Sequence, residues 1–249
     1  MKIKTMGITL VILLFLSCKS FLINTALEKV GAYDERVVAS ELVSIDKEIV
    51  FIPMVHLSTE LFYTDVRHKI DSLNKIGYYF YYEQTKGSLK EDTILRKIRK
   101  IRGIPFSKNG YNSLLDSLLN KRQRSKLKKE IVNQPDYKQL GLNEQNSVNV
   151  DATLRQIVDY YENTYGELVL ESCDYGNTIY EKTDCDQKER DKQKYDEVAV
   201  AYRNNLVVEY LLNDNTHSKI AIVYGRNHID GIKKELIERG YVDNKQVSN

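Results

Sequence analysis

Glu48-Ile-Val-Phe-Ile-Pro-Met54 is dense in β-branched and apolar residues, as is Tyr78-Tyr-Phe-Tyr-Tyr82, and both read as strands. Between them Leu61, Phe62, Val66, Ile70, Leu73 and Ile76 recur at steps of three and four, which predicts an amphipathic helix from Glu60 to Ile76 that stops at Gly77. Strand, helix and strand within about 35 residues make a βαβ crossover, so the two strands are expected to pair in parallel with a right-handed connection. A sheet of that kind needs helices on its faces. The expected fold is therefore a single α/β domain with a central, mostly parallel β-sheet flanked by helices.

The rest of the chain extends this reading. Lys219-Ile-Ala-Ile-Val-Tyr224 predicts another strand, and Ile229 to Arg239 a closing helix before Gly240. Further helices are expected from Val150 to Tyr165 and from Glu189 to Asn213, the latter with Tyr195, Val198, Ala199, Tyr202, Leu206 and Tyr210 on one face. A chain of 249 residues holds one such domain, at most two. We place it at 46–243, with 86–190 as a variable helical part. From Lys86 to Glu130 there are 14 Lys/Arg against 4 Asp/Glu, so this segment carries +10 in a chain whose net charge is only +2. Ile94, Leu95, Ile98 and Ile101, then Leu114, Leu115, Leu118 and Leu119, predict two helices there with basic outer faces. Those faces suit either plain solvation or contact with anionic lipid heads. No nucleic-acid motif accompanies them.

The chain opens with Lys2 and Lys4, an apolar run from Ile8 to Leu16, and Ser17 before Cys18. This is the order of a signal peptide over 1–17. The apolar run is about half of what a membrane-spanning helix needs. Phe15-Leu16-Ser17-Cys18 resembles a bacterial lipobox. Lipidated Cys18 would then hold the protein on a membrane surface of the bacterial cell envelope through a tether over 18–45; the plainer alternative is a secretory signal that contains a cysteine. Cys173 and Cys185 remain as an even pair, expected to form a disulfide in an oxidising compartment. A metal site at those cysteines would need further N or S ligands, and no His lies between them.

Four histidines are present. His56 lies just past the carboxyl end of the first strand, His228 just past the last, and Glu83 ends the second. Ligands of parallel α/β sheets bind outside those strand ends, so the three are expected on one rim. His68 falls about 18 Å along the helix from His56, and His217 at the opposite rim. Arg203 borders the buried face of the long helix, where a guanidinium needs a carboxylate, a phosphate or a reacting oxyanion as partner.

The order of these pieces, with His56 after the first strand, Glu83 ending the second, Arg203-Asn204 on a late helix, and Gly225-Arg-Asn-His228 followed by Ile-Asp-Gly231, resembles the TraB/Tiki family. That family is similar, at greater distance, to the erythromycin-esterase and ChaN-like proteins. Residues 49–84, 198–212 and 219–241 carry the resemblance. It implies an erythromycin-esterase/ChaN-like fold with a basic helical insertion and, from the Tiki branch, divalent-metal-dependent proteolysis. On that basis His56, Glu83 and His228 would be metal ligands, with Glu83 also able to act as base on a bound water. Arg203 would stabilise developing charge, and Asn204 and Asn227 would contact substrate. A divalent ion, whether Mn, Co, Zn or Fe, suits such donors. Glu60 is a candidate for the family's second glutamate. Pro53 departs from the pattern, standing where the family's first motif has glycine. Two other readings are a haem- or metal-binding lipoprotein of the ChaN-like kind, and a surface protein that sequesters a peptide through its basic segment.

Overall fold

Among the residues of the computed structural model that are described, 21–108, 110–183, 185 and 191–244, six strands form one mixed sheet. The signal-like segment and Cys18 lie outside those residues, as does Glu189. After a helical stretch over 21–29 (α1) come β1 (Ser40–Val43), β2 (Glu48–Met54), β3 (Leu57–Ser58), α2 (Glu60–Lys75) and β4 (Tyr79–Tyr82). Then follow α3 (Asp92–Arg102), α4 (Gly110–Leu118), α5 (Lys121–Arg124), β5 (Val132–Asn133), β6 (Ser147–Asn149), α6 (Leu154–Tyr165) and α7 (Ser172–Tyr175). The chain closes with α8 (Lys192–Asp196), a π turn (Glu197–Ala201), α9 (Tyr202–Asn213), β7 (Lys219–Gly225), α10 (Arg226–Ile237) and β8 (Val242–Asp243).

The sheet runs β6-β4-β7-β2-β1-β8. The first four strands are parallel, and β1 and β8 are antiparallel additions at one edge. β2 and β4 are parallel as expected but do not touch, because β7 lies between them and pairs with both. The reason is burial: Ile220 through Tyr224 are all fully enclosed, and a strand with no polar face belongs in the middle of the sheet. Its side chains alternate between two cores. Ile220, Ile222 and Tyr224 pack with Phe51, Val207, Val208, Ile232 and Leu236 under α9 and α10. Ala221 and Val223 pack with Ile52, Phe62, Val66, Ile70 and Phe80 under α2.

Several boundaries differ from the sequence expectation. Leu61 and Ile76 are exposed, and Tyr63 completes the buried face of α2 in their place. α6 starts at Leu154, where the Thr153 side chain accepts from the Gln156 amide; Val150 instead sits in the core at the end of β6. The long helix is divided by the π turn. Residues 21–45, expected as a tether, are folded: Leu42 of β1 is fully buried, and Leu27, Ala32 and Tyr33 pack against Ile131.

The basic segment also differs. Cys173 and Cys185 are disulfide-bonded, and α3 turns three basic side chains onto the loop they close. Arg99 is 1% exposed. It donates to the carbonyls of Asp174 (2.6 Å), Thr178 (2.8 Å) and Glu181 (3.2 Å) and to Asn177 Oδ1 (2.8 Å). Arg96 donates to the Asp174 and Asn177 carbonyls, and Lys100 to the Asp174 carboxylate. Much of the positive charge on α3 therefore faces inward.

Candidate functional site

Because β2, β4 and β7 are adjacent and parallel, the segments leaving their carboxyl ends converge on one rim. There they line a cavity of about 970 Å³. β2 delivers His56, β4 delivers Glu83, and the β7–α10 junction delivers Gly225, Asn227 and His228; Arg203 enters from α9. Leu27, Ile98, Ile101, Phe106, Leu154 and Ile157 form an apolar wall beside this polar floor.

Arg203 is the hub of the floor. Its Nη2 donates to Glu83 Oε1 (2.5 Å) and Asp151 Oδ2 (2.8 Å), its Nε to Asp151 Oδ1 (2.7 Å), and its Nη1 to the Ala199 carbonyl (3.1 Å) within the π turn. His228 Nε2 lies 3.2 Å from the same Nη1, and its Nδ1 lies 2.7 Å from Asn204 Oδ1. An amide oxygen only accepts, so His228 carries its proton on Nδ1 and presents a lone pair at Nε2. Glu83 Oε2 takes the Gly225 amide at 2.6 Å. A Cβ at Gly225 would stand 2.8 Å from that oxygen, and one at Gly231 would stand 2.2 Å from Asn204 Nδ2. Both glycines are thus required by close approach.

The electrostatics follow from burial. Burial opposes the charge of Arg203, but Asp151 and Glu83 outweigh it and raise its pKa, so the guanidinium stays charged. Burial likewise opposes the Asp151 carboxylate; hydrogen bonds from Arg203, Thr85 and Tyr224 overcome this and hold it below the usual range. For His228 burial prevails over the attraction of Glu83, and its pKa falls to about 4. His56 is also lowered, chiefly by desolvation, although its ring is open to the cavity: protein surrounds it on most sides. The ring stacks on Tyr111 at 4.3 Å, and Gln134, whose backbone amide donates to the His56 carbonyl at 2.9 Å, sets its side chain beside the ring and beside Tyr137. Near neutral pH Arg203 stays charged, Asp151 stays ionised and both imidazoles are neutral.

The structure separates the expected residues. His56, Glu83, Arg203, Asn227 and His228 share the cavity. Asn204 is buried and orients His228. Glu60 is exposed and pairs with Arg67. His68 is exposed on α2, and His217 stacks on Tyr79 and bonds Asp214, away from this rim. Asp151 escaped the sequence reading, as did Thr85 and Tyr224, which bond it at 2.7 and 2.9 Å. The strand-end rule points to Asp151 once β6 is known, since it lies two residues beyond that strand. Three residues are too few for β6 to be legible.

The donors suit a divalent ion by type but not by placement. Glu83 Oε1 and His228 Nε2 approach to 3.8 Å, yet the Arg203 guanidinium bonds both. Among the described residues, the group of three or more ligand atoms within 4.8 Å of one another is Glu171, Cys173 and Cys185, and its cysteines are joined to each other. A resident metal on His56, Glu83 and His228 does not fit this arrangement. No family model, curated protein or solved structure matches the chain.

Proposed function

We propose that the protein is an envelope hydrolase of ester or amide bonds, similar in kind to the TraB/Tiki and erythromycin-esterase-like proteins, and that it works at this cavity. The observation that carries the reading is the meeting of two neutral imidazoles with a buried, permanently charged guanidinium at the base of a cavity with one apolar wall. Both oxygens of Glu83 accept hydrogen bonds, so we assign it to holding Arg203 and the Gly225 amide. His56, open to the cavity and steadied by Tyr111 and Gln134, is the base that takes the proton of a water. Arg203 supplies charge to the oxyanion in a site of low dielectric. The lone pair of His228 accepts from Arg203, so every N–H of the guanidinium is bonded within the protein and Arg203 acts on the oxyanion through its charge alone.

The test is turnover of a panel of ester and amide substrates by the purified protein and by His56→Ala and Arg203→Met. Each variant should lose about two to four powers of ten. Unchanged turnover in His56→Ala would reject the assignment. Prolonged treatment with a chelator should leave turnover unchanged; loss restored by one particular divalent ion would favour the metal-assisted version of the same reading.

The size of the cavity and the open face of His56 favour a second reading, binding of a large planar ligand such as haem. Soret absorbance on titration, abolished by His56→Ala, with no hydrolysis of any substrate, would replace the first reading with the second.

A further inference from the structure

α1 shows apolar residues on two sides. Ile23 and Leu27 pack inward with Tyr33, Leu115, Leu127 and Ile131, whereas Phe21 and Leu22 are 67% and 60% exposed. Beside them runs the most basic stretch of the chain, Lys121-Arg-Gln-Arg-Ser-Lys-Leu-Lys-Lys129. It is fastened to α1 by Asn24, whose Nδ2 donates to the Lys126 carbonyl and whose Oδ1 accepts from the Lys128 amide, both at 3.0 Å. Arg124, Lys128 and Lys129 are matched by Asp116, Glu28 and Glu35. Lys121, Arg122 and Lys126 stand exposed, without an acidic partner among the described residues, as the surplus charge. Exposed apolar side chains next to unmatched cations form the surface that an anionic bilayer attracts.

We propose that the face made by α1 and 121–129 docks on an anionic lipid surface. The sequence preceding it points to the same occupant. Cys18, the lipobox-like cysteine, is three residues before Phe21, so an acyl anchor there would lie within about 11 Å of Phe21 even with the chain fully extended. The orientation has a consequence for the cavity. Leu27 and Lys29 of α1, with Val30 just after it, also line its wall, so docking by this face brings that wall next to the lipid headgroups. The proposal concerns the surface alone and stands whether or not the cavity hydrolyses anything.

Flotation of the mature chain carrying Cys18→Ser tests the surface without help from a lipid anchor. The probes are vesicles of phosphatidylcholine, with and without phosphatidylglycerol. Binding to the anionic vesicles should exceed binding to the neutral ones, fall on adding salt, and drop at least about tenfold in Lys121→Glu/Arg122→Glu/Lys126→Glu. Phe21→Ser/Leu22→Ser should weaken it as well. The substituted side chains are exposed, so thermal melting should remain that of the parent, which separates lost docking from lost folding. Equal flotation of the charge-reversed variant, equal affinity for the neutral vesicles, or a dimer that Phe21→Ser/Leu22→Ser dissociates in the absence of any vesicle binding would each overturn the proposal.

Discussion

Arg99 is fully buried and Arg203 is largely withdrawn from solvent, and their surroundings differ in kind. Arg99 is enclosed by the disulfide-closed loop and is bonded by the carbonyls of Asp174, Thr178 and Glu181 and the side-chain oxygen of Asn177. Arg203 is bonded by two carboxylates, one carbonyl and an imidazole, and it lines the cavity. Main-chain carbonyls do not titrate and cannot exchange protons with a ligand. Such a cage bonds both terminal nitrogens of the guanidinium and fixes the loop, and nothing further follows from it. The Arg203 network contains groups whose protonation can change, beside space for a substrate. Burial of an arginine therefore says nothing by itself about function; the chemistry of its acceptors separates a clamp from a reactive site.

The largest expected effect comes from removing each guanidinium. Arg203→Met leaves Asp151 and Glu83 without their shared cation in a buried site, which should destabilise the protein by about 3–5 kcal/mol and lower turnover by about two to four powers of ten in the molecules that remain folded. Arg99→Met orphans several carbonyls and should cost about 1–3 kcal/mol, while turnover per folded molecule stays that of the parent. Urea unfolding combined with activity measured per folded molecule separates the two outcomes. Lost turnover in folded Arg99→Met would erase the distinction.

Next in size is the disulfide that completes the Arg99 cage. Closing a loop of 12 residues' separation constrains the unfolded chain by about 3 kcal/mol in the loop-entropy account. Cys173→Ser/Cys185→Ser should lower the unfolding midpoint accordingly and leave the chemistry of the cavity intact. A comparable effect belongs to the other region and depends on pH. His228 has a pKa of about 4 in the folded protein, against about 6.5 unfolded. Between those values the unfolded chain binds the extra proton, so stability rises with pH across that window and is lost as pH falls through it. The full span corresponds to roughly 3 kcal/mol. Melting temperatures at pH 6.5 and pH 4.5 should differ more for the parent than for His228→Gln, whereas Cys173→Ser/Cys185→Ser should keep the parent's slope.

The two regions were also unequally legible from sequence. β2, β4 and β7 are dense apolar runs and α2 has strong periodicity, and the placement of His56, Glu83 and His228 at one rim followed from strand ends alone. Pairing order did not follow, because the insertion of β7 between β2 and β4 depends on relative burial that no local pattern reports. β1, β6 and β8 are too short and too mixed in composition to be seen, whereas β4, no longer than β1, is marked by its run of aromatics; Asp151 was missed along with β6. The π turn shifts the faces of α8 and α9 relative to each other, so a single 3.6-residue period over that stretch misplaces side chains. Arg99 was the hardest case. Its helix looks basic and wet, and the carbonyls that enclose it come from a loop some 75 residues later.

The smallest predicted effect sharpens the comparison at the level of one hydroxyl. Tyr224 lies fully buried at the end of β7 and donates to Asp151 Oδ1 at 2.9 Å, while burial holds its own proton in place. Tyr224→Phe keeps the ring in the core and removes only the donor, so the stability cost should be about 1 kcal/mol. Asp151 would keep Arg203 and Thr85 but lose one of the bonds that hold it ionised. Its pKa should therefore rise, and the acid limb of the stability curve should move to higher pH. A hydroxyl with a merely structural role would lower stability equally at every pH. Melting curves of Tyr224→Phe from pH 3 to pH 7 decide between these outcomes, and a uniform shift would place Asp151 with the Arg99 carbonyls as a fixed acceptor.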